Sequence, residues 1–274
     1  MRWVSVMLVV GCASSEASGG GDATAGPSGP DVGAADAADD TRGAADLEAP
    51  PEDAADQPLP PAPVSGTVRI FGPPGGPLEG AKISILEHPE LTASTDAAGE
   101  YRFEAVPAGD VTLVMAAEGY PENQLGTLTS NGAALTGCDF QAVSHGIYDL
   151  FALLTESEPD PARCQISTTV TRFFEGDLPV VHGEPGATAV TVPEIPTAPI
   201  YFNADVLPTP GLDETTVDGG VVWTNVTPGD YVLEARKEGV QFSPVRIKCR
   251  AGVLVNAAPP RGIQGLNPGS GYSE

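Results

Sequence analysis

The side chains able to do chemistry near neutral pH are few and scattered. Only His88, His145 and His182 could act as general bases. His88-Pro89-Glu90 and His182-Gly183-Glu184 each put a carboxylate two residues on. A zinc peptidase needs a spacing such as H-E-x-x-H, which sets two imidazoles on one helix face. No G-x-S-x-G elbow is present to expose an activated serine. The runs Gly19-Gly20-Gly21 and Gly75-Gly76 lack the lysine and following helix that cradle a phosphate. Carboxylates abound, 37 in all, yet nothing singles out two of them for glycoside hydrolysis. No D-x-[DN]-x-[DN]-G loop gathers oxygen ligands for calcium. The reading is non-enzymatic: no catalytic residue, no metal site and no cofactor is expected.

The 13 basic residues against 37 acidic ones leave a formal charge of −24. That excludes nucleic acid as a partner, because phosphate contacts need Lys and Arg. The 28 prolines and 33 glycines in 274 residues break up any long helical pattern, and the length suits about two domains.

The N-terminus reads as an address. Arg2 precedes the apolar run Trp3–Val10, then Gly11 and Cys12, the pattern of a secretory signal too short to span a bilayer. Val9-Val10-Gly11-Cys12 resembles the bacterial lipobox, which implies a diacylated Cys12 at the mature N-terminus and a lipid-anchored protein of the cell envelope. Ala13 in place of Asp resembles outer-membrane sorting. Residues 13–62 hold eleven acids against Arg42 and no aromatic. Such a segment buries too little apolar surface to offset its ordering entropy, so residues 12–62 are expected to be a disordered tether with a reach of about 40 Å. Acyl chains would hold the membrane without a basic patch.

From residue 64 the pattern changes to alternation. Val64–Ile70, Ala81–Leu86, Glu100–Glu104 and Asp110–Met115 each alternate, with Gly, Pro and Asp between them. Tyr101, Phe103, Val111, Leu113 and Met115 are the inward candidates. This is the signature of a β-sandwich. The pattern then returns: Thr95–Tyr120 lies on Thr215–Val240 at a constant offset of 120, with identities at Thr95/Thr215, Gly99/Gly219, Val106/Val226 and Gly109-Asp110/Gly229-Asp230 among others. Phe103 pairs with Trp223, and Gly80-Ala81 matches Gly186-Ala187 with a shift in spacing. Two related β domains are expected, at 63–143 and 163–260, with a disordered tail at 261–274.

Gly66-Thr67-Val68, Pro77-Leu78-Glu79-Gly80-Ala81, Thr95–Phe103, Val106-Pro107-Ala108-Gly109 and Gly119-Tyr120 together resemble the carboxypeptidase regulatory-like domain. The likeness is close over about 65–120 and looser over 165–258, where Pro-Leu is missing before Gly186 and Val240 stands for Tyr. It implies two transthyretin-like sandwiches, grouped with carbohydrate-binding-like folds and found as accessory modules without catalytic residues. First and last strands are neighbours in such a sandwich, which implies a Cys164–Cys249 bridge and a free Cys138. A Cys138–Cys164 bridge is the competing pairing.

Between the copies, Ser144 can cap a helix whose Ile147, Leu150, Phe151 and Leu154 form one apolar stripe, ended by Pro159 and Pro161. Residues 144–162 are expected to link the domains, the helix packing on a sheet of one domain. For ligand contact the candidates are the adjacent rings Tyr201 and Phe202, one of which should point outward, in the Pro-rich region of the long inserts 173–199 and 204–214. Trp223 is expected in the core. The expected role is a structural or protein-interaction module, bound to a membrane through its lipid and to an envelope protein or polysaccharide. The alternatives are a surface carbohydrate binder or an accessory of a neighbouring peptidase.

Overall fold

The computed structural model describes residues 58–173 and 183–268. Cys12 and the leader, most of the tether, His182 and the last six residues lie outside them. The first half contains β1 (Ala62–Ile70), β2 (Lys82–Ile85), β3 (His88–Ser94), β4 (Glu100–Val106) and β5 (Gly109–Val111). It continues with β6 (Leu113–Ala116), β7 (Asn123–Gln124), β8 (Leu128–Ser130) and β9 (Phe140–Ala142), followed by α1 (His145–Leu154). The second half contains β10 (Cys164–Thr171), β11 (Thr188–Val192), β12 (Ile200–Phe202), β13 (Pro208–Thr209) and β14 (Gly220–Val226). It closes with β15 (Gly229–Arg236), β16 (Phe242–Ser243), β17 (Val245–Cys249), β18 (Leu254–Ala257) and β19 (Ile263–Gly265).

Each half buries its own apolar cluster. Val64, Tyr101, Phe103, Leu113, Met115 and Phe140 belong to the first, and Ile166, Tyr201, Trp223, Leu233, Ile247 and Ile263 to the second. Alternation put these rings and aliphatics on the inner faces, where burying each stabilises the fold by about 1.5–3 kcal/mol.

The two halves share their pairing in detail. β1 runs antiparallel to β4 with Thr67 opposite Glu100 and Val64 opposite Phe103, then slips to bring Ala62 opposite Val106. β10 and β14 repeat this, with Thr169 opposite Gly220, Ile166 opposite Trp223, and the same slip to Cys164 opposite Val226. The echoed threonines are internal braces. Thr95 Oγ1 accepts from Ala81 N–H at 2.9 Å and donates to the Leu78 carbonyl at 2.6 Å. Thr215 Oγ1 accepts from Ala187 N–H at 2.9 Å and donates to the Glu184 carbonyl at 2.5 Å. Both hydroxyls are buried, so losing either would orphan a backbone donor and an acceptor at about 1–3 kcal/mol. Gly99 and Gly219 have the same φ of 76°, and an added Cβ would lie 2.6 Å from the Val68 carbonyl oxygen or 2.3 Å from that of Val170. Only glycine fits both the angle and the approach.

The halves are joined through strands. The edge of β10 pairs in parallel with β18, and β18 pairs in parallel with β7, placing Leu254 opposite Asn123 and Val255 opposite Gln124. One eleven-stranded sheet results, running β13-β12-β14-β10-β18-β7-β6-β2-β3 with β16 and β19 off that path. Three-stranded sheets, β4-β1-β9 in the first half and β11-β15-β17 in the second, complete the two sandwiches.

Several expectations need correction here. Residues 261–274 are not a featureless tail as far as described, because Ile263 and Gln264 pair with Val170 and Thr171 in β19. The partner lies about 90 residues back, beyond the reach of local patterning. The insert expected over 173–199 contains β11, and that over 204–214 contains β13, each held by a sheet neighbour. The first strand starts at Ala62, inside the expected tether, because Ala62 is buried opposite Val106. The helix ends before its prolines: Glu156 takes φ 52°, its N–H bonds to the Leu153 carbonyl, and Ser157 N–H bonds back to that of Ala152. This is a Schellman closure with glutamate where glycine is usual.

Cys164 and Cys249 form a disulfide, with Cα atoms 5.7 Å apart, and Cys138 is free and buried. By the shared register Ala62 stands where the second half has Cys164. Ser130, opposite Gly109 as Cys249 is opposite Gly229, stands for the other cysteine. Both Ala62 and Ser130 are buried, and the Ser130 hydroxyl has no hydrogen-bond partner among the described residues. The double variant Ala62→Cys/Ser130→Cys should therefore close a second disulfide, detectable by peptide mapping. With a loop of roughly 70 residues it should add up to about 4 kcal/mol in denaturant unfolding.

Candidate functional site

The seam between the halves is polar and largely buried. Asn123, Gln124 and Asn256 are each under 5% exposed. Gln124 Nε2 donates to the Lys248 carbonyl at 2.6 Å, and its Oε1 accepts from Arg250 Nε at 2.8 Å. Asn123 Nδ2 and Asn256 Nδ2 both donate to the Gln141 carbonyl, at 3.1 and 3.0 Å. Leu254 N–H bonds to the Glu122 carbonyl, and Thr127 N–H to that of Arg246. Buried amides paired this way fix one register, since any slip would strand them without water.

At one margin of the seam the polar groups open into a cleft of about 290 Å³. Thr127, Leu128 and Thr129 of the first half face Ser243, Arg246, Arg261 and Gln264 of the second. Arg246 directs Nη2 at Asp110 Oδ1 (2.8 Å) and Thr129 Oγ1 (2.7 Å). Lys248 Nζ lies 3.9 Å from the other Asp110 oxygen. The hydrogen bond from Arg246 holds the Asp110 carboxyl below its ordinary range, the cationic charges adding to it against a smaller burial effect. Arg261 donates Nε to the Gly137 carbonyl at 3.2 Å and Nη2 to that of Thr136.

A second, apolar crevice lies beneath α1, lined by Tyr148, Phe151, Phe202, Val222 and Leu254 among others. Phe151 packs edge-on to Phe71 of the first half (6.2 Å between centroids) and Phe202 of the second (5.4 Å). The helix therefore spans both halves instead of resting on one. Its cap is Ser144 Oγ, which accepts from Ile147 N–H at 3.4 Å, whereas Leu150 is exposed and leaves the expected stripe.

This arrangement decides where the candidate rings sit. Tyr201 and Phe202 do point to opposite faces, but both are buried. Tyr201 enters the second core, and its hydroxyl accepts from Ala189 N–H at 3.0 Å. Phe202 faces away from that core and is covered by Phe151. Neither offers an open face to a sugar: Tyr201 fills the core, and Phe202 lies under the helix, whose seat alternation along one strand does not encode. Trp223 and Phe103 are both core residues. His88 lies 3.5 Å from Glu90 on β3, and His145 opens α1. Among the described residues no His, Cys, Asp and Glu group is arranged to hold a metal. Burial pushes the Cys138 thiol up to about 11, the nearby Asp139 adding to the shift and Arg261 opposing it. The cleft itself escaped sequence reasoning because its residues come from three separated stretches.

Residues 63–142 match the carboxypeptidase regulatory-like domain. No curated protein matches the chain. Among solved structures, a chain of a type II cohesin–X-dockerin complex from Acetivibrio cellulolyticus is 18% identical over 28% of this chain and 52% of its own, with TM-score 0.24. The minor pilin GBS52 of Streptococcus agalactiae is 11% identical over 78% of this chain and 100% of its own, with TM-score 0.26. The shaft pilin SpaA of Lactobacillus rhamnosus GG is 10% identical over 78% and 100%, with TM-score 0.22. The chain spans about half the length of the cohesin–dockerin chain.

Two measurements check this electrostatic picture. Asp110 is lowered in the folded state, so its contribution is present above the ordinary carboxylate pKa of about 3.9 and is lost as pH falls through the lower folded value. Asp110→Asn should cost under about 1 kcal/mol at pH 7, the pair being solvent-screened, and the gap to the wild type should close as the pH falls below the ordinary carboxylate range and shrink in high salt. Cys138 should resist iodoacetamide at pH 8 in the native protein and react once denaturant is added, as read by mass spectrometry.

Proposed function

We propose that this chain is a non-enzymatic interaction module displayed on the cell envelope, held to a membrane by a lipid on Cys12 through the acidic segment 13–62. The observation that supports it most is the welding of residues 63–142, a carboxypeptidase regulatory-like domain, to a second sandwich of the same plan through one continuous sheet. In both halves the residues that recur serve burial, turning and bracing: Phe103 and Trp223 in the cores, Gly99 and Gly219 at turns, Thr95 and Thr215 as braces. A body that repeats these structural pairs supplies rigidity, which is what a display module needs from its fold.

The loops of the second half are the proposed contact surface. The turn at 203–207 is fixed by Asn203 Oδ1, which accepts from Asp205 and Leu207 N–H at 2.9 and 3.2 Å, and it holds Val206 at φ 64° with Leu207 exposed. A β-branched residue in that conformation is kept only where the surroundings enforce it.

The anchor is tested directly. The wild type should incorporate labelled palmitate and fractionate with membranes, whereas Cys12→Ala should lose the label and move to the soluble fraction. Membrane retention of Cys12→Ala would defeat the lipid reading.

A further inference from the structure

We propose that the cleft at the seam binds a carboxylated sugar, of the hexuronate class, with Arg246 and Arg261 receiving the carboxylate. The proposal goes beyond the display role and does not depend on the anchor.

Its first support is charge. The chain carries 13 cationic residues against 37 acids, so an anion meets repulsion over most of the surface. At physiological ionic strength the field is screened within about 8 Å, and a ligand feels only the groups near it. In and around the cleft those are Arg246, Lys248 and Arg261 with Asp110, Asp139, Asp230 opposite Lys248, and Glu87, whose carboxylate accepts from Thr112 beside Thr127. Asp110 is shared by Arg246 and Lys248, and the Asp139 carboxylate is turned to the Thr67 N–H and hydroxyl, at 2.7 and 3.0 Å. The charged side chains that line the cleft itself are the two arginines, in a strongly negative protein.

The second support is geometry. A guanidinium has five N–H donors in a planar fork that matches a carboxylate. Arg246 directs two of them at Asp110 and Thr129, and Arg261 directs two at backbone carbonyls. Those bonds hold each side chain in place and leave further donors on both. The arginines are thus positioned before any ligand arrives, which lowers the entropy that binding must overcome.

The remaining wall selects the body of the ligand. Thr127, Thr129 and Ser243 hydroxyls and the Gln264 amide suit vicinal hydroxyls, while Leu128, Pro244, Val245 and Pro260 present carbon to the C–H face of a ring. A volume of about 290 Å³ suits one sugar ring and leaves little room for a peptide strand.

Titration calorimetry of the full chain with galacturonate should give saturable binding with Kd of about 1 mM or tighter. Galactose, the same ring without the carboxylate, should bind at least about tenfold more weakly, and acetate likewise. Chemical shifts in the wild type should move at 127–129, 243–246 and 260–264 on addition of galacturonate. This readout needs no substitution in the seam. Arg261→Gln should weaken binding about tenfold, and Ser243→Ala, which leaves both arginines in place, about threefold. Absence of heat with galacturonate, equal binding of galactose or acetate, tighter binding of a glutamate-containing tripeptide, or shifts confined to other residues would each overturn the proposal. Its failure would leave the palmitate and fractionation results untouched.

Discussion

The relation of the two halves depends on the pairing of β18 with β7. A two-residue strand, Asn123-Gln124, lies between the first half's β6 and the second half's β18 and hydrogen-bonds to both. Of its buried amide side chains, Gln124 reaches the Lys248 carbonyl across the seam and Asn123 the Gln141 carbonyl within its own half, so both the backbone and one side chain of this short strand act across the seam. An apolar pair there would tolerate sliding; amides in a dry seam do not. The cleft, the helix seat and the fixed relation of the two cores all follow from that register.

The two halves solve the same problem with different parts. The segment around Leu135 lies along β1 through backbone bonds to Pro63 and Ser65, and forms only an isolated bridge. Its counterpart in the second half is β18, a full strand because it has a partner on each side. Where the second half closes its strands with a disulfide, the first has Ala62 and Ser130, and it holds its corresponding segment with the Tyr101 hydroxyl, which donates to the Cys138 carbonyl. Glu184 occupies the place of Leu78 and is buried against Lys237. The two halves share the plan and differ in their fastenings.

Much of this plan is readable from residues alone, and the limits have physical causes. Strands with strict alternation, such as the Glu100–Glu104 stretch of β4, declare both their existence and their inner face, because one side must be buried. The echo at 120 residues marks Thr95 and Thr215 as equivalent, although it cannot say that their hydroxyls bridge two backbone groups. Asn123-Gln124 carries no strand signal at all, being short and polar; it is a strand only because two others flank it. Ile263 sits among glycines and prolines, and its ladder to Val170 is non-local. Glu156 and Val206 occupy left-handed positions where glycine would have announced a turn. Tyr201 and Phe202 obey the alternation expected of them, and the closure over Phe202 comes from a helix some 50 residues earlier.

The position of β18 late in the chain has a consequence for the order in which the molecule can form. As synthesis proceeds, β7 is complete roughly 130 residues before the strand that covers its outer edge. Throughout that interval the nascent N-terminal sandwich exposes an unpaired ladder with two amides waiting for partners, a surface prone to capture by other strands. Pro121, which has no N–H to pair, and Glu122 lie just ahead of it, residue types that discourage such an edge from pairing with its like.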